Sequence, residues 1–388
     1  MQKGKRVIAG VKGNIDIDGG NYEVVSENGD GVSVYRTLYL NPAKLGVTTK
    51  NAANSTETSS YKGIKVGTTI YAPATAGTIT VDTTATYSSS RAGNDSNDSV
   101  ADDTIHSDKY IKIDGGTFDL SAGDDGIHSD TGLVINGGNI DVKESYEGIE
   151  SGDVSINGGV VRIKARDDGM NAGGGNDGTT SSGPGMPGDW FGKDDSATNT
   201  NYQIIIRGGE ITVDADGDGI DSNGNIFFRG GTVTVNGPTN GGNGALDYGD
   251  GANCVCEISG GTLIAAGAVG MDAAPTAGSS QPAVNVRLSS AQSAGTYVIL
   301  KDSDGNTVLQ AQPTKSFQSV VMSCEKLKLG STYTVYYGTD LDSLTNGDSV
   351  TFTSTSMSTG SSGGGWGGPR KYSYDSSSRN RKWSGERN

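Results

Sequence analysis

Three words in this chain place acids at matched spacing: Asp124-Asp125-Gly126-Ile127-His128, Asp167-Asp168-Gly169-Met170-Asn171 and Gly217-Asp218-Gly219-Ile220-Asp221. Aligned on their shared glycine, they put Asp103, Asp125, Glu147, Asp168 and Asp218 in one column and Asp102, Asp124 and Asp167 in the column beside it. Three residues further on, a third column reads His106, His128, Glu150, Asn171, Asp221, Asp247 and Asp272. If successive words stack, neighbouring carboxylates stand about 4.8 Å apart and repel by nearly 1 kcal/mol in water, or roughly 3 to 4 kcal/mol at an effective dielectric of 20. A divalent cation between the words converts that penalty into binding, and all-oxygen ligands on a flexible corner suit Ca²⁺ better than Zn²⁺. Asp-Gly is also ordinary turn chemistry, which accounts for any one word. It accounts less well for the doubled acid, the further acid three residues later and their restriction to one edge. The expected cages combine Glu147 with Asp167, Asp168 and Asn171, and Asp103 with Asp124 and Asp125, with Asp102, Glu150, Asp218 and Asp221 as further candidate ligands. His106 and His128 are the only histidines and fall in adjacent words. A zinc site would draw on more soft ligands than lie nearby, so a hydrated or stacked corner pair is expected of them ahead of transition-metal binding, the alternative.

The words must be held by a regular scaffold, and Gly-Gly pairs mark it. Gly116, Gly138 and Gly159 are 22 and then 21 residues apart, and Gly209 to Gly231 is again 22. Short alternating runs flank each pair, such as Ile111, Ile113 then Phe118, Leu120, and Leu133, Ile135 then Ile140, Val142. Period-two alternation means strands, and a unit so short cannot bury its own core without stacked neighbours. Gly-Gly supplies positive φ at the turn, and a preceding Asp114, Asn136 or Asn157 can bond its own backbone. The expected fold is all-β: a right-handed parallel β-helix of about 21 to 22 residues per coil with a C-terminal β-rich cap. Composition alone points elsewhere, since a net charge of -15 with so few large aliphatic residues usually signals disorder. The periodicity overrides it, because 62 glycines are what a fold made largely of corners requires.

Along the chain, the β-helix is expected over 1–280, with an irregular insertion at 36–100 holding one further coil near Gly63-Ile64-Lys65 and Thr78 to Val81. A Gly/Ser/Pro-rich loop follows at 174–201. Residues 281–355 read as the cap, with strand-like runs Val284 to Leu288, Tyr297 to Leu300, Val308 to Gln312, Val320 to Ser323 and Tyr333 to Tyr337. Residues 356–388, Ser/Gly-rich and then basic, read as a disordered tail. Met1 to Gly13 lacks the apolar stretch of a secretory signal, and no apolar run is long enough to span a membrane. Nothing comparable to the cap precedes the first coil, so the expectation is either that further coils lie upstream or that this end meets another chain by end-to-end self-association. Cys254 and Cys256 read as core filler rather than ligands, with Cys324 the third cysteine.

These words, with Tyr146-Glu147-Gly148-Ile149-Glu150 and Asn243-Gly244-Ala245-Leu246-Asp247-Tyr248, resemble the clostridial-type extracellular carbohydrate-binding β-helix proteins, whose fold is similar to family 9 pectate lyases. The resemblance runs from about residue 102 to 355 and includes Pro313-Thr314-Lys315-Ser316-Phe317. It implies a secreted or surface-held protein that binds calcium and plant cell-wall polysaccharide, polygalacturonate or cellulose. In the related lyases a carboxylate on one coil and an Asp-Asp-x-x-Asp word on the next hold calcium. Here Glu147 precedes Asp167, Asp168 and Asn171, so Asn replaces the last acid and weakens the site.

An acidic protein holds a polyanionic uronate chain only through bridging cations or local basic groups, and the same net charge offers no surface to nucleic acid. Arg162 and Arg166 beside the acids are candidate contacts to substrate carboxylates, while Tyr146, Trp190, Phe191 and Tyr248 are candidate sugar platforms. Lyase chemistry needs a base of lowered pKa, for which Lys143 and Lys164 are the nearest candidates, though neither stands out as desolvated. Binding without turnover is the first expectation, a calcium-dependent pectate lyase the second and a structural or filament-forming solenoid the third.

Overall fold

The computed structural model describes residues 7–50, 61–86, 102–173, 202–249, 251–344 and 348–362. Almost all of its regular structure is strand. A ladder of three-residue parallel strands, Ile8–Gly10, Val32–Val34, Ile64–Val66, Ile105–Ser107, Ile127–Ser129, Ile149–Ser151, Met170–Ala172 and Ile220–Ser222, runs along one side. Two further ladders of four- to six-residue strands carry the remaining sides, joined at the Gly-Gly corner. By Asn225–Asn236 and Cys256–Gly267 the strand runs unbroken through that corner. The architecture is a parallel β-helix.

Alternation delivers the core. In Thr117–Ser121 and Val160–Ala165 every second side chain is buried, and Ile111, Leu133, Val154, Ile204 and Ile226 stack one above another down the interior. Fixed register follows, because a one-residue slip would turn that whole column outward. The second glycine of each pair is needed for its backbone: Gly138 sits at φ 98°. Gly148, in the acidic word, is needed for a different reason. A Cβ there would stand 2.4 Å from the Gly169 carbonyl oxygen of the next coil, closer than any side chain tolerates.

The stretch 36–100 is more regular than its sequence suggests. Strands Thr37–Asn41 and Lys44–Thr49, then Ile64–Val66, Thr69–Ala72 and Thr78–Asp82, complete a second coil and build a third in register with their neighbours. The polar loop expected from residue 88 and the excursion at 174–201 lie outside the described residues. The residues before each Gly-Gly pair also behave differently from expectation. They bond along the axis, with Asn136 donating to Asp114 at 2.6 Å, Asn157 to Asn136 at 2.7 Å and Arg207 to Asn157 at 3.3 Å. Stacked coils bring the next amide nearer than a residue's own turn can, so a polar ladder replaces isolated turns.

The last long strand, Cys256–Gly267, pairs antiparallel with Phe317–Ser323, which ends the parallel stacking. A four-stranded sheet of Thr307–Ala311, Tyr297–Asp302, Thr332–Gly338 and Asp348–Thr353 buries its own cluster around Leu300, Val335 and Tyr337. All five strand runs expected in 281–355 are strands here. The loop at Pro313 to Phe317 ties this cap to the solenoid. Lys315 Nζ donates to the Ala215 carbonyl at 2.6 Å and to Asp216 at 2.5 Å, and Thr314 N to Asn236 Oδ1 at 2.9 Å. Residues 358–362 of the expected tail form one more strand, parallel to Ala283–Arg287. No helix among the described residues is long and apolar enough to cross a membrane.

Candidate cation-binding edge

The three-residue ladder positions the acids. Ile105, Ile127, Ile149, Met170 and Ile220 pair in consecutive coils and point into the core, so the residues flanking them fall into columns. One column runs His106, His128, Glu150, Asn171, Asp221, as the word alignment requires. By the same register, Asp103, Asp125, Glu147, Asp168 and Asp218 follow one another two positions before the core residue. Their environment differs from a hydrated rim: Asp102, Asp103, Asp124, Asp125, Glu147, Glu150, Asp168 and Asn171 are all buried. Asp167, Asp218 and Asp221 are half-buried. Buried charge is tolerated only when paired, so each carboxylate must find a cation or donors.

At one end a lysine supplies the charge. Lys62 stands one coil before Asp103 in the same column, is fully buried and lies 2.5 Å from Asp103 Oδ2. His106 Nδ1 reaches the same oxygen at 3.0 Å, and the Asp125 amide donates to Oδ1 at 3.3 Å. Burial works to raise the Asp103 pKa, but Lys62 and then His106 outweigh it and hold the carboxyl well below the ordinary aspartate range. An ammonium therefore stands at Asp103 where a metal was expected. Lys62 is legible in retrospect, because Lys62-Gly63-Ile64 occupies the offset of Asp-Gly-Ile one coil earlier.

The histidines stack, with ring centroids 4.7 Å apart and planes 18° from parallel, and they are buried rather than hydrated. His128 Nδ1 faces two acids, Asp125 Oδ2 at 3.1 Å and Glu150 Oε2 at 2.7 Å. Burial opposes its charge, but Glu150 first and then Asp125 and Asp130 raise the His128 pKa well above that of a free imidazole. Glu150 is held low against its burial chiefly by His128. Asp125 is pushed well up by burial, with Asp124, Asp103 and Glu150 adding to the rise. Sequence reasoning missed Asp108 and Asp130, which face the two Nε2 atoms at 3.0 and 3.4 Å. Their signal was the twice-repeated Ile-His-Ser-Asp.

The cage expected around Glu147 shows features that fit a calcium ion. Asn171 Nδ2 lies 3.3 and 3.5 Å from the two Glu147 carboxylate oxygens, and Asn171 Oδ1 is buried without a hydrogen-bond partner. Asp167 Oδ1 and Asp168 Oδ1 converge over Gly217, each 2.4 Å from where a Cβ at that glycine would stand. Asp168 Oδ1 also accepts the Asp218 amide at 2.5 Å, and Asp218 Oδ1 accepts the Gly244 amide. Inter-coil capping thus already engages Asp168 and Asp218, the carboxylates that a cation at this edge would also use. Asp272 serves neither purpose: Arg287 at 2.8 Å, Asn285 and Ser319 hold it at the cap.

The expected sugar contacts are dispersed. Tyr146 is half-buried above this edge, and Tyr248 packs partly against the core. Arg166 donates to the Gly123 carbonyl at 2.7 Å. Arg162 is exposed on another side, 3.2 Å from Asn139 Oδ1 and 3.9 Å from Glu210. Trp190 and Phe191 lie outside the described residues. Lys143 is half-exposed and paired with Asp119 at 2.5 Å, a bond that raises its pKa, the opposite of what a proton-abstracting lysine needs. Lys164 is exposed in the strand Val160–Ala165, aligned with Asp214.

Comparison with known proteins adds one similarity. No curated protein and no solved structure matches the chain. A family model described as carbohydrate-binding domain-containing protein matches residues 72–148 and 91–185. Those residues contain the acid and histidine columns from Asp102 to Asn171, so this stretch of the edge, though not Lys62, Asp218 or Asp221, lies within the part of the chain that is similar to a carbohydrate-binding family.

Proposed function

We propose that this protein is an extracellular, calcium-dependent binder of plant cell-wall polysaccharide, acting on polygalacturonate or cellulose without turnover. The observation that carries the reading is the coincidence of the family match with the carboxylate columns of consecutive coils. Glu147, Asp167, Asp168 and Asn171 are the residues that would hold Ca²⁺, whose role is to bridge protein carboxylates to those of a uronate chain. Tyr146 and Arg166 border the same edge and supply sugar-facing contacts. The state of Lys143, exposed and ion-paired, favours binding over β-elimination.

The test is retention of polygalacturonate by the immobilised protein, with calcium and with chelator, while absorbance is followed in the band of unsaturated uronides. Retention only with calcium and a flat absorbance support the reading. Absorbance that grows with time and disappears in Lys164→Ala would replace it with a lyase.

A further inference from the structure

Beside the proposed calcium ligands, three side chains from two adjacent coils converge in a way their hydrogen bonds do not resolve. His128 Nδ1 sits between Asp125 Oδ2 and Glu150 Oε2, at 3.1 and 2.7 Å. A ring nitrogen carries at most one proton, and one N–H cannot point along both directions. On the far side of the ring, His128 Nε2 and Asp130 Oδ1 stand 3.4 Å apart, yet both are buried and neither makes a hydrogen bond. His128 is 5% exposed. As it stands, Nδ1 faces two acceptors, and Nε2 has a carboxylate at ion-pair distance without hydrogen-bond geometry.

We propose that Asp125, His128 and Glu150 form a binding site for a divalent transition-metal ion with the ligand preferences of zinc, through Nδ1 and one oxygen of each carboxylate. The three ligand atoms lie within 4.8 Å of one another. Ligands at about 2.0 to 2.2 Å from a tetrahedral zinc stand roughly 3.3 Å apart, so the 3.1 and 2.7 Å separations from Nδ1 need open by roughly 0.2 and 0.6 Å. Binding displaces the Nδ1 proton to solvent and leaves the ring N–H on Nε2, where Asp130 already stands. A carboxylate behind the distal nitrogen is the usual device for fixing a metal-bound imidazole. The scaffold is rigid: His128 and Glu150 are register partners in a parallel ladder, Asp125 is three residues back, and the His106 ring stacks against His128.

The neighbouring cluster of Asp103, His106 and His128 is equally compact but already holds the Lys62 ammonium, which repels a second cation. This selects the triad one coil further on. The inference stands apart from the calcium reading, whose ligands Glu147, Asp167, Asp168 and Asn171 are not used here.

The experiment is calorimetric titration of the chelator-stripped full chain with zinc chloride, with nitrogen-15 spectra of the histidine rings recorded alongside. One zinc per chain is expected, with a shift of the His128 Nδ1 resonance and Nε2 remaining protonated. His128→Gln should weaken binding at least 100-fold. Asp130→Asn lies on the rim, leaves the three ligands in place and should weaken it roughly 10- to 100-fold. Asp168→Asn should leave zinc binding unchanged while abolishing any calcium response. Absence of zinc uptake by the stripped wild-type chain overturns the proposal, as does uptake that a folded His128→Gln variant retains in full.

Discussion

Lys62 Nζ lies 2.5 Å from Asp103 Oδ2, with both side chains fully buried on adjacent coils. The pair ends the run of acids, and the two charges depend on each other. Removing one partner of such a pair leaves an uncompensated buried charge and costs about 3 to 5 kcal/mol, whereas replacing both by apolar groups of similar volume is often close to neutral. Lys62→Met should therefore lower stability by that amount in denaturant titration, and Lys62→Met with Asp103→Leu should recover most of it. Equal loss in the single and double variants would show that the pair is not coupled.

Axial closeness gives a second prediction. The Gly148 Cβ position falls 2.4 Å from a backbone oxygen, so Gly148→Ala must push adjacent coils apart, at roughly 1 to 3 kcal/mol. Gly13 has nothing within 4 Å of its Cβ position, and Gly13→Ala should change the melting temperature little. Paired melting curves of the two variants check the difference.

The pH dependence of the metal-free protein follows from the buried network. His128 has a raised pKa in the folded state, so its contribution is fully present below about pH 6.5, its unfolded value, and is lost as pH rises through the elevated folded value. Glu150 and Asp103 are held low, so theirs is present above about pH 4 and is lost as pH falls. Asp125 works against stability as pH rises past about 4, because its folded pKa is raised. Melting temperature in chelator should thus fall on the alkaline side, and His128→Gln should flatten that limb. An alkaline limb that is the same in the variant would assign the loss to other groups.

All three cysteines are free and buried, and burial pushes the Cys256 thiol pKa far up. A thiol reagent should label none of the three in the folded protein at neutral pH and all three in denaturant. Rapid labelling of native protein would place Cys256 outside the core.

The columns were legible because parallel stacking at a constant period leaves little freedom: once Ile127, Ile149 and Met170 are aligned as inward residues, Asp125, Glu147 and Asp168 must follow one another. The second coil was obscured because Pro42-Ala43 stands at its corner in place of a Gly-Gly pair, whereas the third was legible from Gly63-Ile64-Lys65 and Thr78 to Val81 although Lys62 stands where an acid was sought. Burial was not legible. Spacing specifies which side chains share an edge, but not whether the tight approach at Gly126 and Gly148 seals that edge from water. The bond partners of Asn136 and Asn157 were hidden for a related reason, since an amide's choice between its own turn and the next coil depends on a separation that spacing does not contain.

The measurement that bears most directly on the proposed function is the melting temperature of the chelator-stripped chain with and without calcium, for wild type and Asp168→Asn. A cation bound only by the folded state at 100 times its dissociation constant adds about 2.7 kcal/mol, a shift of several degrees. Stabilisation of wild type by calcium, absent in Asp168→Asn, is the result expected of carboxylates that hold a cation between coils. Identical curves for wild type with calcium and with chelator would contradict it, and leave these acids as caps on their neighbours' amides.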